Sequence, residues 1–232
     1  MKKCSLLTML AVLFLQYNVQ AQEKHELWTM EIFRTGSIMS FEKTVDGVLK
    51  ESYSGQKVNN VIYNNYFETN GVYSKVDLTL ITYTLFNNDQ NQHWSYNITI
   101  GAFLNEEPIF WGGSRHYIGV GVDFDFTNSS IYEGSTKLVD FTSATIGANL
   151  RYDIEIGEHW LFQNNLTYAW WGLDESSKWD YKLLIGIETF DGLYLTASPN
   201  FLYTTTQREE MGSIIEEKAS HFYWTFGFGF EI

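Results

Sequence analysis

Large apolar side chains alternate with small or polar ones along most of the chain. In the last segment one face carries Phe222, Trp224, Phe226, Phe228, Phe230 and Ile232, opposite Tyr223, Thr225, Gly227, Gly229 and Glu231. The same period of two recurs in 94–104, 117–126, 139–156, 159–171 and 178–189. Successive side chains of a β-strand point to opposite faces, so this period predicts strands rather than helices.

The chemistry of the two faces predicts a membrane barrel. Each segment has about the 9–11 residues that a tilted transmembrane strand needs. The apolar face carries rings that are too large and too numerous for the interior of a small soluble sandwich or lipocalin-like barrel, whereas the polar face carries charges in mid-strand. Apolar side chains toward lipid and polar side chains toward the lumen are typical of outer-membrane barrels. We therefore expect an all-β, antiparallel, up-and-down transmembrane β-barrel.

Turn signals suggest ten strands. Asn-Gly and Asp-Gly pairs favour tight hairpins, and short turns are expected at 70–71, 157–158 and 191–192. Longer polar connections, expected on the external side, lie at 87–92, 127–138, 172–177 and 206–219. Nine strands are counted back from the C-terminus to 56–69, and an even number requires a tenth within 27–45. Two alternatives stay open: eight strands with an N-terminal plug or helix, because Ile38, Phe41, Val45, Val48 and Leu49 also fit helical spacing, or twelve strands if Asp46-Gly47 is a hairpin turn.

The first residues have the pattern of a secretory signal peptide. Lys2 and Lys3 precede an apolar run, Ser5 to Leu15, and a small-residue cleavage pattern ends at Ala21. We expect residues 1–21 to be removed and 22–232 to form one outer-membrane barrel domain. The one cysteine, Cys4, lies within the leader, so the exported chain is expected to hold no thiol.

Composition narrows the function. Asp and Glu number 28 against 15 Lys and Arg, and such an acidic chain repels the phosphates of nucleic acid. The sequence contains no metal-spaced His/Cys cluster and no phosphate-binding loop, so we expect neither a metal nor another cofactor.

Aromatic residues gather near the predicted external strand ends. Trp and Tyr favour the membrane interface because the ring is apolar and its tip is polar. The predicted aromatic girdle is Trp94, Tyr168, Trp170, Trp179, Tyr181 and Trp224.

The alternation along each predicted strand also shows which side chains are expected to face the lumen. The side chains expected to line it include Asp123, Asp125, Arg151, Asp153, Lys182 and Glu188. Charges in such an interior must be paired or hydrated, so Arg151 and Lys182 are expected to centre ion pairs. Inward glycines such as Gly101, Gly119 and Gly121 either leave a narrow wet path or only permit tight strand coiling.

One set of polar residues suggests catalysis. His93, Asp123 and Asp125 face inward toward the external ends of neighbouring strands, and His with Asp can activate water. Two acids and a histidine also occur by chance in an acidic barrel, so the expectation is that this is not an enzyme.

The sequence that follows the expected signal peptide resembles Gram-negative outer-membrane β-barrel proteins over essentially all of its length. The terminal run Phe226, Phe228, Phe230 and Ile232 resembles the C-terminal signal that these proteins present to the barrel-assembly machinery, although that signal usually ends in Phe. The segment 117–125, together with 108–113, is similar to parts of the nucleoside-specific channel (Tsx-like) family, whose members have twelve strands. The resemblance implies a location in the cell outer membrane, with lipid and the assembly machinery as partners.

The function expected from sequence is a small porin-like channel for neutral or cationic solutes, of nucleoside type if the Tsx-like similarity holds. An acidic wall would repel anions. The alternatives are a non-conducting structural or loop-binding barrel, and an outer-membrane hydrolase with its site at the external rim.

Overall fold

A computed structural model describes residues 27–69, 71–85, 88–105, 107–133, 136–157, 159–172 and 175–231, and every regular element in these ranges is a β-strand. The predicted signal peptide and Ile232 lie outside the described residues. The strands are β1 (Leu27–Val45), β2 (Val48–Thr69), β3 (Val72–Leu85), β4 (Asn88–Phe103), β5 (Ile109–Trp111), β6 (Ser114–Glu133), β7 (Thr136–Ile156), β8 (Trp160–Gly172), β9 (Ser177–Phe190), β10 (Leu193–Glu210) and β11 (Ser213–Glu231).

The strand pairing closes on itself. Ten long strands pair with their neighbours in chain order, β4 pairs with β6, and β1 pairs with β11. All of these pairs are antiparallel, and the three-residue β5 forms only a hairpin arm on the start of β6. The predicted antiparallel β-barrel is confirmed, and the ten long strands of the described residues agree with the favoured count.

The alternative of an N-terminal helical plug is wrong for the described residues. Ile38, Phe41 and Val45 lie in β1, and Val48 and Leu49 begin β2, so this part of the chain forms no helical plug. Asp46 and Gly47 do form a hairpin turn, with φ of 51° and 76°, as a tight turn requires. They add no further pair of strands, because β2 continues from Val48 through the predicted strand 56–69.

Most of the segments that were expected to form long connections are instead parts of strands. β6 and β7 extend to Glu133 and Thr136, while β10 and β11 extend to Glu210 and Ser213. Sequence alone suggested loops because both faces become polar there, yet backbone pairing continues without an apolar face. The connection between β8 and β9, at 173–176, is short.

The interior is polar and the exterior is apolar. Buried positions alternate with exposed ones along β8, where Leu161, Gln163, Asn165 and Thr167 are buried. Among the described residues, no helix is long and apolar enough to cross a membrane.

Candidate functional site: the interior of the barrel

A lysine-centred ion-pair cluster fills the part of the lumen between β3, β6 and β9. The Lys178 ammonium lies 2.8 Å from the Asp125 carboxylate, 3.8 Å from Asp123 and 3.7 Å from Asp180. Asp180 is also 3.3 Å from Lys75. We call these five residues the Lys178 network; they contain three carboxylates and two lysines, so acid is in excess.

Polar neighbours fix the carboxylates of this network. Asn97 donates to both oxygens of Asp123 at 2.8 Å, and the Thr99 hydroxyl donates to it at 2.7 Å. Thr127 donates to Asp125 at 3.0 Å. Asp123 therefore accepts hydrogen bonds that hold its carboxylate in one orientation. Hydrogen bonds to an ionised group are stronger than those between neutral groups.

A second ion pair lies between β1 and β9. Lys182 contacts Glu31, which also accepts hydrogen bonds from Ser198 and, at 2.9 Å, from Thr225. Both charged side chains are at most 1% exposed. Glu31 therefore joins β1, β9, β10 and β11 through one carboxylate.

Aromatic rings occupy the lumen toward the rim that holds the C-terminus. Tyr73, Phe103 and Tyr117 form a buried cluster, and the Arg151 guanidinium lies 4.8 Å from the centre of the Tyr73 ring and 5.0 Å from that of Phe103. Arg151 is also paired with Asp153 at 2.7 Å. Such cation–π contacts are favourable when the cation is desolvated.

The glycines expected to open a path instead make room for Tyr73. A Cβ built on Gly101 would overlap the Tyr73 ring, and one built on Gly119 would lie 2.7 Å from it. A Cβ on Gly121 would lie 3.0 Å from the Tyr73 hydroxyl, which donates to Asn149 at 2.8 Å. These three glycines therefore face a ring rather than a water-filled channel.

The long charged side chains of the described interior are buried. Arg151, Lys178 and Lys182 are each 1% exposed although all three are long and charged. Among the sequence-assigned lumen residues, Asp123, Asp125 and Asp153 are likewise buried. Glu188 is different: it lies near the C-terminal rim, where it accepts from the backbone N–H of Gly192 at 2.8 Å and pairs with His159 at 3.1 Å.

The candidate catalytic residues are separated along the paired strands β4 and β6. Asp125 pairs across β4 and β6 with Asn97, and His93 lies four residues farther along β4, which is about 13 Å at 3.3 Å per residue. The side chain of His93 is outside the described part of the structure. Asp123 and Asp125 contact Lys178, and neither has a free oxygen facing a rim.

Aromatic residues encircle the outside at two levels. Trp94, Tyr168, Trp170, Trp179 and Tyr181 are exposed, and Trp224 is half-buried. A second level, toward the C-terminal rim, includes Trp160, Phe190 and Phe230. Along β8, Trp160 and Trp170 are ten residues apart, about 33 Å along the strand and about 25 Å in height at the usual tilt. This matches the apolar band of an outer-membrane barrel.

The C-terminal run lies on the outer face next to the first strand. Phe226 and Phe230 are exposed, and Trp28 of β1 stacks on Phe230 at 5.8 Å and meets Phe228 edge-on at 6.5 Å. The run therefore forms the seam at which the barrel closes.

Sequence reasoning missed three charged groups of the interior. Lys178, the first residue of the predicted strand 178–189, was not assigned to the lumen. Glu31 lies where a register shift between Glu31 and Phe33 interrupts the alternation. Arg208 was placed in a loop; it pairs with Glu217 at 2.6 Å across β10 and β11. Only the pairing of the strands brings these groups together.

Comparisons with known proteins identify the fold and no family. No family model matches the chain, and no curated protein sequence matches it. The outer membrane protease OmpT of Escherichia coli is similar in structure, with a TM-score of 0.57 and 8% identity over 93% of this chain and 100% of that one.

Two further solved structures are more distant. They are the Neisserial surface protein NspA, at TM-score 0.38 and 8% identity over 89% and 97% of the two chains, and the N-terminal barrel domain of OprF from Pseudomonas aeruginosa, at TM-score 0.27 and 13% identity over 87% and 99%. The similarity to OmpT is one of fold, that of a bacterial outer-membrane β-barrel.

Proposed function

We propose that this protein is a closed outer-membrane β-barrel that conducts no solute in its resting state. Its long strands continue beyond the membrane at the cell surface, and we call this extension the external wall. The observation that carries the proposal is the interior, in which the Lys178 network and the Tyr73, Phe103 and Tyr117 rings fill the bore of the described residues. Small barrels usually have interiors filled by side chains. The geometry therefore favours the non-conducting class over the porin-like channel.

The external wall includes β10, β11, β1 and β2, which have 18, 19, 19 and 22 residues. β6 and β7 are of similar length, with 20 and 21 residues. These lengths exceed the roughly 9–11 residues that cross a bilayer, so the strands continue beyond the aromatic girdle. Two hydrogen bonds tie the hairpin tips: Asp46 N–H donates to the Ile214 carbonyl at 2.8 Å, and Ile214 N–H donates to the Asp46 carboxylate at 2.9 Å.

Charged pairs stiffen the wall above the girdle. Arg208 forms two hydrogen bonds with Glu217, at 2.6 and 3.3 Å. On the outer face, a hydrogen bond to Glu216 raises the pKa of the Lys218 ammonium. A stiff sheet that carries exposed Met211 and charged side chains at its tip suits the binding of a partner outside the cell.

A planar-bilayer recording tests the closed interior. The wild-type protein is expected to insert without discrete conductance steps, because its lumen is packed. The double variant Tyr73→Ala, Lys178→Ala is expected to produce cation-preferring steps, because it removes both the ring beside Gly101, Gly119 and Gly121 and the central lysine of the Lys178 network. The acidic lumen that remains repels anions. Insertion is checked by the heat-dependent gel mobility of a folded barrel.

Wild-type steps of the same size as those of the double variant Tyr73→Ala, Lys178→Ala would contradict the proposal. They would support the second candidate, a small channel for neutral or cationic solutes whose Lys178 network moves to open it. The Lys178 network itself favours this candidate. Its charged side chains occupy the middle of the lumen, and they can become hydrated again if the network moves. The nucleoside-type version is weaker, since Gly119 and Gly121, in the segment that suggested it, accommodate Tyr73.

We propose no catalytic role for His93, Asp123 and Asp125, and no metal or other cofactor. The two carboxylates are used in the Lys178 network, and His93 follows about 13 Å farther along β4. The partners proposed are outer-membrane lipid, the barrel-assembly machinery that reads Phe226, Phe228, Phe230 and Ile232, and a ligand of the external wall.

A further inference from the structure

Two neighbouring hairpin tips form the outermost part of the external wall. We call residues 44–49, at the β1–β2 turn, and 209–214, at the β10–β11 turn, the crest. The two hydrogen bonds between Asp46 and Ile214 join them. Met211 precedes Trp224 of the girdle by thirteen residues, which is about 43 Å along the strand and about 30 Å in height at the usual tilt. The crest therefore lies beyond the hydrocarbon core of the membrane.

Met211 has a backbone conformation that does not suit a methionine. Its φ is 52° and that of Gly212 is 80°. Asn, Asp and Gly favour such two-residue turns, because a longer side chain crowds the backbone in the left-handed region. In the neighbouring tip the equivalent residue is Asp46, with φ of 51°, and its carboxylate accepts a hydrogen bond from the Ile214 N–H. Met211 is instead 101% exposed, so folding gains no burial from its side chain.

Further apolar side chains accompany Met211 on the crest. Val48, Leu49 and Ile214 are all exposed although no acyl chains reach this height. Burial of such side chains against a partner would release the free energy that their contact with water costs. A group of exposed apolar side chains that polar residues surround is typical of an interaction surface.

The charges of the crest indicate the kind of partner. Its charged residues are all exposed acids, namely Asp46, Glu209 and Glu210. Glu209 lies directly across the hairpin from Ile214. Glu210 lies 3.8 Å from Arg208, but the Arg208 guanidinium is bonded to Glu217 at 2.6 Å. Carboxylates beside an apolar centre favour a partner that carries Lys or Arg next to apolar side chains, and they disfavour an acidic one.

We propose that the crest binds a cationic amphipathic segment of a partner protein outside the cell. Met211 and Ile214 pack against its apolar side chains, while Glu209 and Glu210 pair with its Lys or Arg. This assignment rests on the proposed function, since it names the class of partner that the external wall holds. It also explains Met211, because the unbranched methionine side chain adapts to an irregular apolar surface. A second copy of the chain would bring the same acids together, which like-charge repulsion disfavours.

Binding of synthetic peptides to the protein in phosphatidylcholine nanodiscs tests the crest. The probe is a short fluorescein-labelled amphipathic peptide of leucine and lysine, and its counterpart has glutamate in place of every lysine. Fluorescence anisotropy measures binding, and empty nanodiscs measure partition into lipid. The leucine–lysine peptide is expected to bind the wild type saturably, and the leucine–glutamate peptide is not. Met211→Asn is expected to weaken binding about tenfold, the effect of losing part of the burial of one methionine side chain.

The stability of Met211→Asn separates a binding role from a structural one. Asn before Gly is preferred in this turn, so the urea midpoint of the variant in lipid vesicles is expected to rise while its affinity for the peptide falls. A residue that only supports the fold would not produce these opposite changes. Met211→Leu keeps an apolar side chain of similar volume and is expected to retain most of the affinity.

The acids have a matched control on another external turn. The double variant Glu209→Gln, Glu210→Gln is expected to weaken binding of the leucine–lysine peptide about two- to tenfold, because it removes two exposed ion pairs. Glu175→Gln changes an exposed acid that also has a positive φ, but at the β8–β9 turn outside the crest. It is expected to leave the affinity unchanged.

Several outcomes would overturn the proposal. Unchanged affinity in Met211→Asn would contradict the role of the methionine, and equal binding of the leucine–glutamate peptide would contradict the charge assignment. Anisotropy no higher than that with empty nanodiscs would mean partition into lipid only. A wild-type dimer that Met211→Asn dissociates would mean that a second copy of the chain covers the crest. A wild type that conducts and still binds the peptide would contradict the closed bore but support the crest, so the two failures are distinguishable.

Discussion

Glu31→Ala is expected to destabilise the folded barrel by about 3–5 kcal/mol, the cost of removing one partner of a buried ion pair. Glu31 is fully buried and contacts Lys182, Ser198 and Thr225. The substitution removes the carboxylate that pairs with Lys182, whose side chain is 1% exposed. It also removes the acceptor of the Ser198 and Thr225 hydroxyls. Urea unfolding in lipid vesicles, followed by tryptophan fluorescence, measures the change.

The double variant Glu31→Gln, Lys182→Met separates charge from packing. Because it removes both charges together, it is expected to recover most of the stability lost in Glu31→Ala, as isosteric replacement of buried pairs often does. Glu209→Ala, at an exposed acid of β10, is the matched control and is expected to change little. If Glu209→Ala lost as much stability as Glu31→Ala, the effect would come from removing any acidic charge rather than from breaking this ion pair.

Gly227→Ala is expected to produce the second large effect, a failure of the seam between β1 and β11. A Cβ at this position would overlap the backbone carbonyl of Met30, and it would lie 2.6 Å from the Glu31 Cα. Backbone cannot rotate away as a side chain can, so the strands must separate. Overpacking of a tight interior costs about 1–3 kcal/mol and occasionally more, and the cost is expected here at the closing strand pair.

Gly186→Ala is the control for the seam variant. Gly186 also faces inward, but the nearest atom to its built Cβ is the Leu161 Cβ at 3.4 Å, an ordinary van der Waals distance. The fraction that shows heat-dependent mobility after refolding into vesicles is expected to fall for Gly227→Ala and to stay near wild type for Gly186→Ala. Equal yields for the two variants would contradict the close contact at Met30.

The sequence could predict the class of fold because a membrane barrel sorts its side chains by chemistry. Along β6, β8, β9 and β11 the two faces differ in size and polarity at most positions, so the alternation assigns inside and outside. Above the girdle this contrast ends, because water surrounds both faces. The strands 127–138 and 206–219 therefore resembled loops until the pairing was known.

The contents of the lumen could be predicted only in part. Parity placed Asp123, Asp125 and Arg151 inside, but it did not show which groups meet. The Lys178 network joins three strands that are far apart in sequence, and the Tyr73 ring lies over glycines of β4 and β6. Register shifts in β1 concealed Glu31. The extra residue of β8 puts both Trp170 and Trp171 on the outer face, which the alternation alone does not predict.

The most direct measurement is a nitroxide scan of residues 118–127 in β6, using single cysteines in a Cys4→Ser background and protein folded into vesicles. Collision with oxygen, which concentrates in acyl chains, is expected to peak at Val120, Val122, Phe124 and Phe126 and to fall at the residues between them. Maxima at Gly121, Asp123 and Asp125 instead would mean that the charged face meets the membrane or solvent and that the rings form a core.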